Sequence, residues 1–110
     1  MNDIALIALA VIFVLTGLTK LAGVQMMRAN FERFGLPDSA RLAIGAVEIG
    51  LAVLAVIGLG SETTAIVAAA GALMLMVGAL ATHVRVKDGP DQYVAPVIVT
   101  VAAVVALVTL

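Results

Sequence analysis

The sequence contains no cysteine, no tryptophan and a single histidine, and charged residues make up 12% of its 110 positions. Without cysteine, thiol–disulfide chemistry and thiolate metal sites are excluded. One histidine cannot supply both axial ligands of a bis-histidine haem within one chain, and no other metal site is predicted. A net charge of -1 disfavours nucleic acid as a partner, because no basic surface is available to neutralise phosphates.

Hydrophobic residues are abundant instead. They account for 64% of the chain, against about 45–50% in soluble domains. They are concentrated in four runs, each close to the roughly 20 residues that cross about 30 Å of hydrocarbon as a helix. We therefore predict an all-α fold, an integral membrane four-helix bundle that forms one transmembrane domain over residues 1–110. The predicted helices cover about 4–24, 39–60, 62–84 and 93–110.

The connections between these runs differ in length. In the first connection, Met27, Phe31 and Phe34 follow one another at i, i+4 and i+7, which predicts a short helix lying at the lipid headgroups. The second connection is a tight turn in which Ser61 is expected to cap the third helix. Asp38, after Pro37, is expected to accept hydrogen bonds at the start of the second helix.

The basic residues indicate the orientation of the bundle. Arg28, Arg33 and Arg41 flank the first connection, and Arg85 and Lys87 lie in the third. The second connection and both ends of the sequence have no lysine or arginine. Cytoplasmic loops of membrane proteins are enriched in these residues, so the first and third connections are predicted to be cytoplasmic and both termini outside.

Four polar residues fall toward that same side of the predicted bundle: Lys20, Glu48, His83 and Tyr93. Counting from the helix ends places Lys20 about 6 Å and Glu48 about 9 Å inside the hydrocarbon. A central charge costs roughly 2.5 to 3.5 kcal/mol on insertion scales, so an ion pair between Lys20 and Glu48 is expected.

Two interpretations of these polar groups remain open. The ion pair can serve only to fix which helices touch and in which register. Alternatively, the four residues can bind a polar headgroup or form a proton path, and His83 can either titrate or cap a helix end. Small residues that allow close helix packing in lipid accompany them. The glycines predicted for this packing are Gly17, Gly45, Gly71 and Gly78.

Three short motifs carry a family resemblance. They are "LTGLTKL" with Gly17 and Lys20, "RLAIGAVEIG" with Gly45 and Glu48, and "ATHVRVKDG" with His83. Together with "FGLP" before the second helix, their order resembles the DoxX-like family of small four-helix membrane proteins. This resemblance covers nearly the whole chain. It implies a four-helix bundle in the bacterial inner membrane, and the family takes its name from a subunit associated with a thiosulfate:quinone oxidoreductase.

The favoured function is a small accessory or quinone-associated subunit of a membrane redox system, with a polar intramembrane pocket lined by Lys20, Glu48 and His83. Such a chain is not expected to be catalytic alone; quinone or lipid are the candidate ligands, and redox-enzyme subunits or further copies of the chain are the candidate partners. One alternative is a proton-coupled transporter of the small multidrug type, which the missing aromatic residues disfavour. A non-catalytic membrane assembly factor is the other alternative.

The absence of cysteine makes the topology testable. Single cysteines replacing Ser39 and Gly89 should react with a membrane-impermeant thiol reagent only from the cytoplasmic side, and a cysteine replacing Ser61 only from the outside. Labelling of positions 61 and 89 from the same side would contradict the four-span topology. Reversed labelling of all three positions would leave four spans but overturn the assignment from charge.

Overall fold

The computed structural model describes residues 2–110, and within that range the regular structure is entirely helical. The elements are α1 (Asp3–Ala22), α2 (Gln25–Phe34), α3 (Asp38–Ile57), α4 (Glu62–Arg85), a 3-10 turn (Pro90–Tyr93) and α5 (Val94–Val108). By length and composition, α1, α3, α4 and the 3-10 turn with α5 can each cross a membrane. The prediction of an all-α membrane bundle with a short helix between the first two spans is confirmed.

The four long helices form a ring in the order α1, α3, α4, α5. The most extensive contact joins α1 to α3, followed by α4 to α5, while α1 barely touches α4 across the ring. Short connections make sequential helices antiparallel, as in other up-and-down bundles. One end of the bundle, here named the α2 end, therefore carries α2, the start of α3, the end of α4 and the 3-10 turn.

Local signals set the helix ends. Gly23 and Gly35 take left-handed conformations, with φ of 68° and 73°, and end α1 and α2. Ser61 Oγ accepts a hydrogen bond from the Thr64 backbone N–H at 3.3 Å, which confirms the predicted cap of α4.

The expected cap at Asp38 is wrong. The N-cap residue of α3 is Pro37, whose side chain cannot accept a hydrogen bond, and Asp38 is already the first helical residue. A cap needs an extended backbone, and here Pro37 has that conformation one residue earlier. The Asp38 carboxylate instead lies 3.5 Å from Arg41, which is one turn further along α3.

The apolar core fills the half of the bundle away from the α2 end. Its buried residues are mostly alanine, and three of its six larger side chains come from α1. The fully buried large side chains are Leu6, Leu9 and Phe13. Valine, isoleucine and leucine lie largely on the outside. Small residues inside and branched residues outside suit helices that pack closely while their outer faces contact lipid.

Glycines bring α1 close to α3. A Cβ on Gly45 would lie 3.0 Å from the Lys20 Cβ and 3.1 Å from the Gly17 carbonyl oxygen. Gly71 in α4 is similarly tight, because a Cβ there would lie 2.6 Å from a Leu51 methyl group of α3. A Cβ on Gly78 would meet no atom within 4 Å. Gly78 thus lies on an open face of α4. Unlike the other three glycines predicted to pack helices, it contacts no neighbouring helix closely.

The contact at Gly45 can be tested against Gly50, where a Cβ would meet nothing within 4 Å. We expect Gly45→Val to lower the free energy of unfolding by about 1–3 kcal/mol, because the added methyl groups force α1 and α3 apart. Gly50→Val adds the same atoms to the same helix on an open face. Thermal unfolding in detergent measures both variants, and equal losses would contradict the close contact.

Candidate functional site

The first polar cluster joins α1 to α3 inside the bundle. Lys20 Nζ lies 2.7 Å from Glu48 Oε1, and the Thr16 hydroxyl donates a hydrogen bond to Glu48 Oε2. The distance between Lys20 Nζ and Glu48 Oε1 is that of an ion pair, but the angles are not those of a hydrogen bond. Oε1 consequently has no hydrogen-bond partner within residues 2–110. Glu48 is only 3% exposed. The carboxylate is thus enclosed by one cation and one hydroxyl.

The sequence around this cluster explains its geometry. Thr16 and Lys20 are four residues apart on α1, so both face α3 from the same side of the helix. The close approach at Gly17 and Gly45 brings Glu48 within reach of both side chains. In this low-dielectric setting a lone charge is unfavourable, so each partner stabilises the buried position of the other.

Two arginines bind the end of α1 beside this cluster. Arg41 is 3% exposed, and its Nη1 donates to the Lys20 carbonyl oxygen. Arg28 Nε donates to the Gly23 carbonyl oxygen at 2.6 Å. The last carbonyls of a helix have no partner within the helix and carry a partial negative charge, so both contacts stabilise this end of α1. From the sequence these arginines indicated only membrane orientation.

The second polar cluster lies at the α2 end and joins α2, α4 and the connection after α4. His83 Nδ1 lies 2.5 Å from Asp88 Oδ2. Arg33 binds the same carboxylate through two nitrogens, with Nε 2.8 Å from Oδ1 and Nη2 3.1 Å from Oδ2. This paired geometry is the strongest that arginine makes with a carboxylate.

These bonds control the charge of Asp88. The hydrogen bonds that Arg33 and His83 donate hold the pKa of the Asp88 carboxyl below its ordinary value of 3.8, against a smaller opposing effect of burial. Because the pKa is lowered on folding, the carboxylate stabilises the fold above pH 3.8, and this contribution is lost as the pH falls through the folded value.

Aromatic rings flank the histidine. The centroids of the Phe34 and Tyr93 rings each lie 5.5 Å from that of His83, at interplanar angles of 84° and 50°. Arg85 Nη2 donates to the Phe34 carbonyl oxygen at 2.6 Å and so fixes the end of α2 against α4. The imidazole of His83 is therefore held by the contact of its Nδ1 with Asp88 and by packing against the rings of Phe34 and Tyr93.

The geometry also assigns the protonation of the ring. An ionised Asp88 carboxylate only accepts hydrogen bonds, so His83 Nδ1 carries a proton. In the neutral ring, Nε2 is then a lone-pair acceptor. Within residues 2–110, Nε2 makes no hydrogen bond, and it is not a fully buried atom. This nitrogen can therefore accept a hydrogen bond from a group at the α2 end.

The four polar residues predicted from the sequence fall into two separate pairs. Lys20 contacts Glu48, and His83 contacts Tyr93. No hydrogen bond or ion pair within the described residues joins one pair to the other. The expected common pocket of Lys20, Glu48 and His83 is therefore replaced by two clusters at different depths. Residues 2–110 also contain no group of three His, Asp or Glu side chains placed to hold a metal ion.

The sequence did not identify Asp88 and Arg33 as site residues. Asp88 follows His83 by five residues and lies beyond the end of α4, so helical periodicity does not place it beside the ring. Arg33 comes from α2, far away in the sequence. One available signal was an acidic residue directly after the "HVRVK" segment.

Comparison with known protein families decides the identity of this bundle. The model of the DoxX-like family matches residues 4–106, from the first turn of α1 to the last turns of α5. The chain belongs to the DoxX-like family. No curated protein and no solved structure matches it. The resemblance carried by the three motifs is thus confirmed, and this DoxX-like protein is a multi-pass membrane protein whose helices contact lipid.

The buried ion pair of this DoxX-like protein generates a quantitative prediction. Glu48→Gln and Lys20→Met should each lower the free energy of unfolding by about 3–5 kcal/mol, because each leaves a single charge in low dielectric. The double variant should lose less than the sum, with a coupling above roughly 0.5 kcal/mol. Thermal unfolding of the four proteins in detergent measures this cycle.

Lys87→Met is the matched control, since Lys87 is exposed and makes no ion pair within the described residues. It should leave stability nearly unchanged and show no coupling to Glu48→Gln. Strictly additive losses for Lys20→Met and Glu48→Gln would contradict an energetic interaction between the two charges.

Proposed function

We propose that this DoxX-like protein is a quinone-associated accessory subunit of a redox system in the bacterial inner membrane, with its α2 end in the cytoplasm. The observation that carries the proposal is the His83 ring, whose Nδ1 is bound by Asp88 while Nε2 has no hydrogen-bond partner among residues 2–110. The orientation rests on the arginines and the lysine of the two connections at the α2 end, which are typical of cytoplasmic loops.

The chemistry of this ring suits a quinone headgroup. A bound quinone supplies two-electron redox chemistry coupled to protons. Nε2 of neutral His83 can accept a hydrogen bond from a hydroxyl, and after taking up a proton it can donate to a carbonyl oxygen. The Asp88 carboxylate stabilises the resulting imidazolium, and Arg33 keeps that carboxylate ionised. The rings of Phe34 and Tyr93 offer apolar surface on either side.

In this proposal the Lys20 and Glu48 pair has a structural role. Thr16 donates to one oxygen of Glu48, Lys20 lies 2.7 Å from the other, and the residue is only 3% exposed, so a ligand has little access to the carboxylate. A small multidrug transporter needs a carboxylate that exchanges protons for cationic substrates. The enclosure of Glu48 disfavours that alternative and supports a role in holding α1 against α3.

The subunit role implies a division of labour. The chain supplies a membrane anchor and one proton-accepting nitrogen, while electrons come from a redox partner subunit. An assembly factor would share the anchor but would have no need of Nε2 at the α2 end. Quinone retention therefore separates the two roles.

We expect His83→Gln to reduce the amount of ubiquinone or menaquinone that the purified protein retains by about three- to tenfold, the value of one hydrogen bond. Native mass spectrometry after mild solubilisation measures the retained quinone. Thr82→Ala is the control, because the adjacent Thr82 hydroxyl bonds only to the Gly78 carbonyl oxygen of its own helix. Its retention should equal that of the wild type.

Asp88→Asn tests the same site by changing the residue that binds His83 Nδ1. Asparagine replaces the charged acceptor of the His83 and Arg33 hydrogen bonds by a neutral one, so the ring is held less firmly and quinone retention should fall, while the helical content stays unchanged. If wild type and His83→Gln retain equal amounts of quinone, the quinone role is wrong and an assembly role is favoured.

A further inference from the structure

A second feature of the α2 end lies apart from His83. The guanidinium groups of Arg28 and Arg41 converge on Gly23, at the end of α1. A Cβ at Gly23 would lie 2.8 Å from both Arg28 Nη2 and Arg41 Nη1. The two side chains therefore bring like charges to one point, which is electrostatically unfavourable unless an anion lies nearby.

Capping of α1 explains only part of this arrangement. Each guanidinium has five N–H donors, and each uses one of them on a carbonyl oxygen at the end of α1, Lys20 for Arg41 and the capping Gly23 for Arg28. The Nη groups of Arg28 make no hydrogen bond within residues 2–110. In the same part of the chain, Arg41 Nε is buried without a hydrogen-bond partner, and Arg41 Nη2 has only the 3.5 Å contact with the exposed Asp38. Most donors of this pair are unused.

Among the described residues, Asp38 is the one carboxylate that contacts the pair, at 3.5 Å from Arg41 Nη2. Glu48 is engaged by Lys20. Glu32 and Asp38 line the adjacent groove, yet neither lies within 4.0 Å of an Arg28 nitrogen. Within residues 2–110, Arg28 therefore has no carboxylate at ion-pair distance, and Arg41 has one long contact with an exposed carboxylate.

The groove beside Arg28 has room for a ligand. It is open to the surface, has a volume of about 400 Å³, and is lined by Arg28, Phe31, Glu32, Leu36, Pro37 and Asp38. Its walls combine the Arg28 guanidinium with apolar side chains from α2 and the turn before α3, and the carboxylates of Glu32 and Asp38 also line it. A ligand with an anionic group and an apolar portion matches this lining.

We propose that Arg28 and Arg41 together bind a phosphate group beside Gly23, where the two guanidinium groups meet, with the rest of the ligand in the groove that Arg28 lines. Guanidinium groups bind phosphate oxygens through paired, charge-assisted hydrogen bonds, and a bridging anion relieves the repulsion between two arginines. The phosphate can belong to a lipid headgroup at the membrane surface or to a soluble phosphate ester. This site shares no residue with the His83 cluster and does not depend on the quinone proposal.

The test uses the purified full chain in a non-ionic detergent and follows its thermal unfolding. The probes are phosphatidylglycerol, a diacylglycerol with the same acyl chains but no phosphate, and glycerol phosphate. Phosphatidylglycerol should raise the unfolding temperature, and diacylglycerol should not. Arg28→Gln should weaken the apparent affinity for the phosphate probe about tenfold, since it removes a charge-assisted contact at an exposed side chain.

Lys87→Gln removes the same charge from the same end of the bundle and should leave the affinity unchanged. Arg41→Lys, which keeps the charge but loses the forked geometry, should weaken binding while the protein remains folded. Stabilisation by phosphatidylglycerol alone identifies a lipid headgroup, and stabilisation by glycerol phosphate as well identifies a soluble ester. Equal effects of Arg28→Gln and Lys87→Gln, equal effects of phosphatidylglycerol and diacylglycerol, or no stabilisation by either phosphate probe would overturn the proposal.

Discussion

The contact between Lys20 and Glu48 is the constraint on which the rest of the bundle depends. A carboxylate and an ammonium inside an apolar bundle each require a partner at a fixed distance, and only one register of α1 against α3 provides it. The glycines at the same level allow that register, because larger residues would hold the helices apart. The most extensive helix contact of the protein follows from these two requirements together.

This constraint divides the bundle into two halves with different properties. Away from the α2 end, alanines and a few large side chains of α1 form a dry core without charged groups. The other half contains the buried charges. The Lys20–Glu48 pair lies nearest the apolar core, and the arginines at the end of α1 and the Asp88 cluster lie closer to the α2 end. The buried polar residues of the described chain, Arg41, Glu48 and His83, all lie in the second half, where hydrogen bonds and ion pairs join the helices.

The sequence predicted the fold well, because the length of apolar runs is a direct consequence of membrane thickness. It also placed Lys20 and Glu48 at similar depth, since helical rise is regular. It did not predict the separation of His83 from that pair or the role of Asp88, because a connection can return in any direction and no periodicity describes it. The prediction for Asp38 was wrong because helix α3 begins at that residue rather than after it. The sequence also did not predict that Gly78 lies on an open face of α4, since the spacing of glycines does not say which face of a helix contacts a neighbour.

The central claim, that Lys20 is turned inward to Glu48, can be measured in a lipid bilayer by solid-state NMR. The chain has two lysines, Lys20 and Lys87, so dipolar dephasing between lysine ¹⁵Nζ and glutamate ¹³Cδ has few sources. Strong dephasing in the wild type that disappears in Glu48→Gln is expected from an Nζ to Oε1 distance of 2.7 Å. Absence of dephasing in the wild type would mean that Lys20 extends to the membrane surface instead, as long basic side chains near helix ends can do, and would contradict the account.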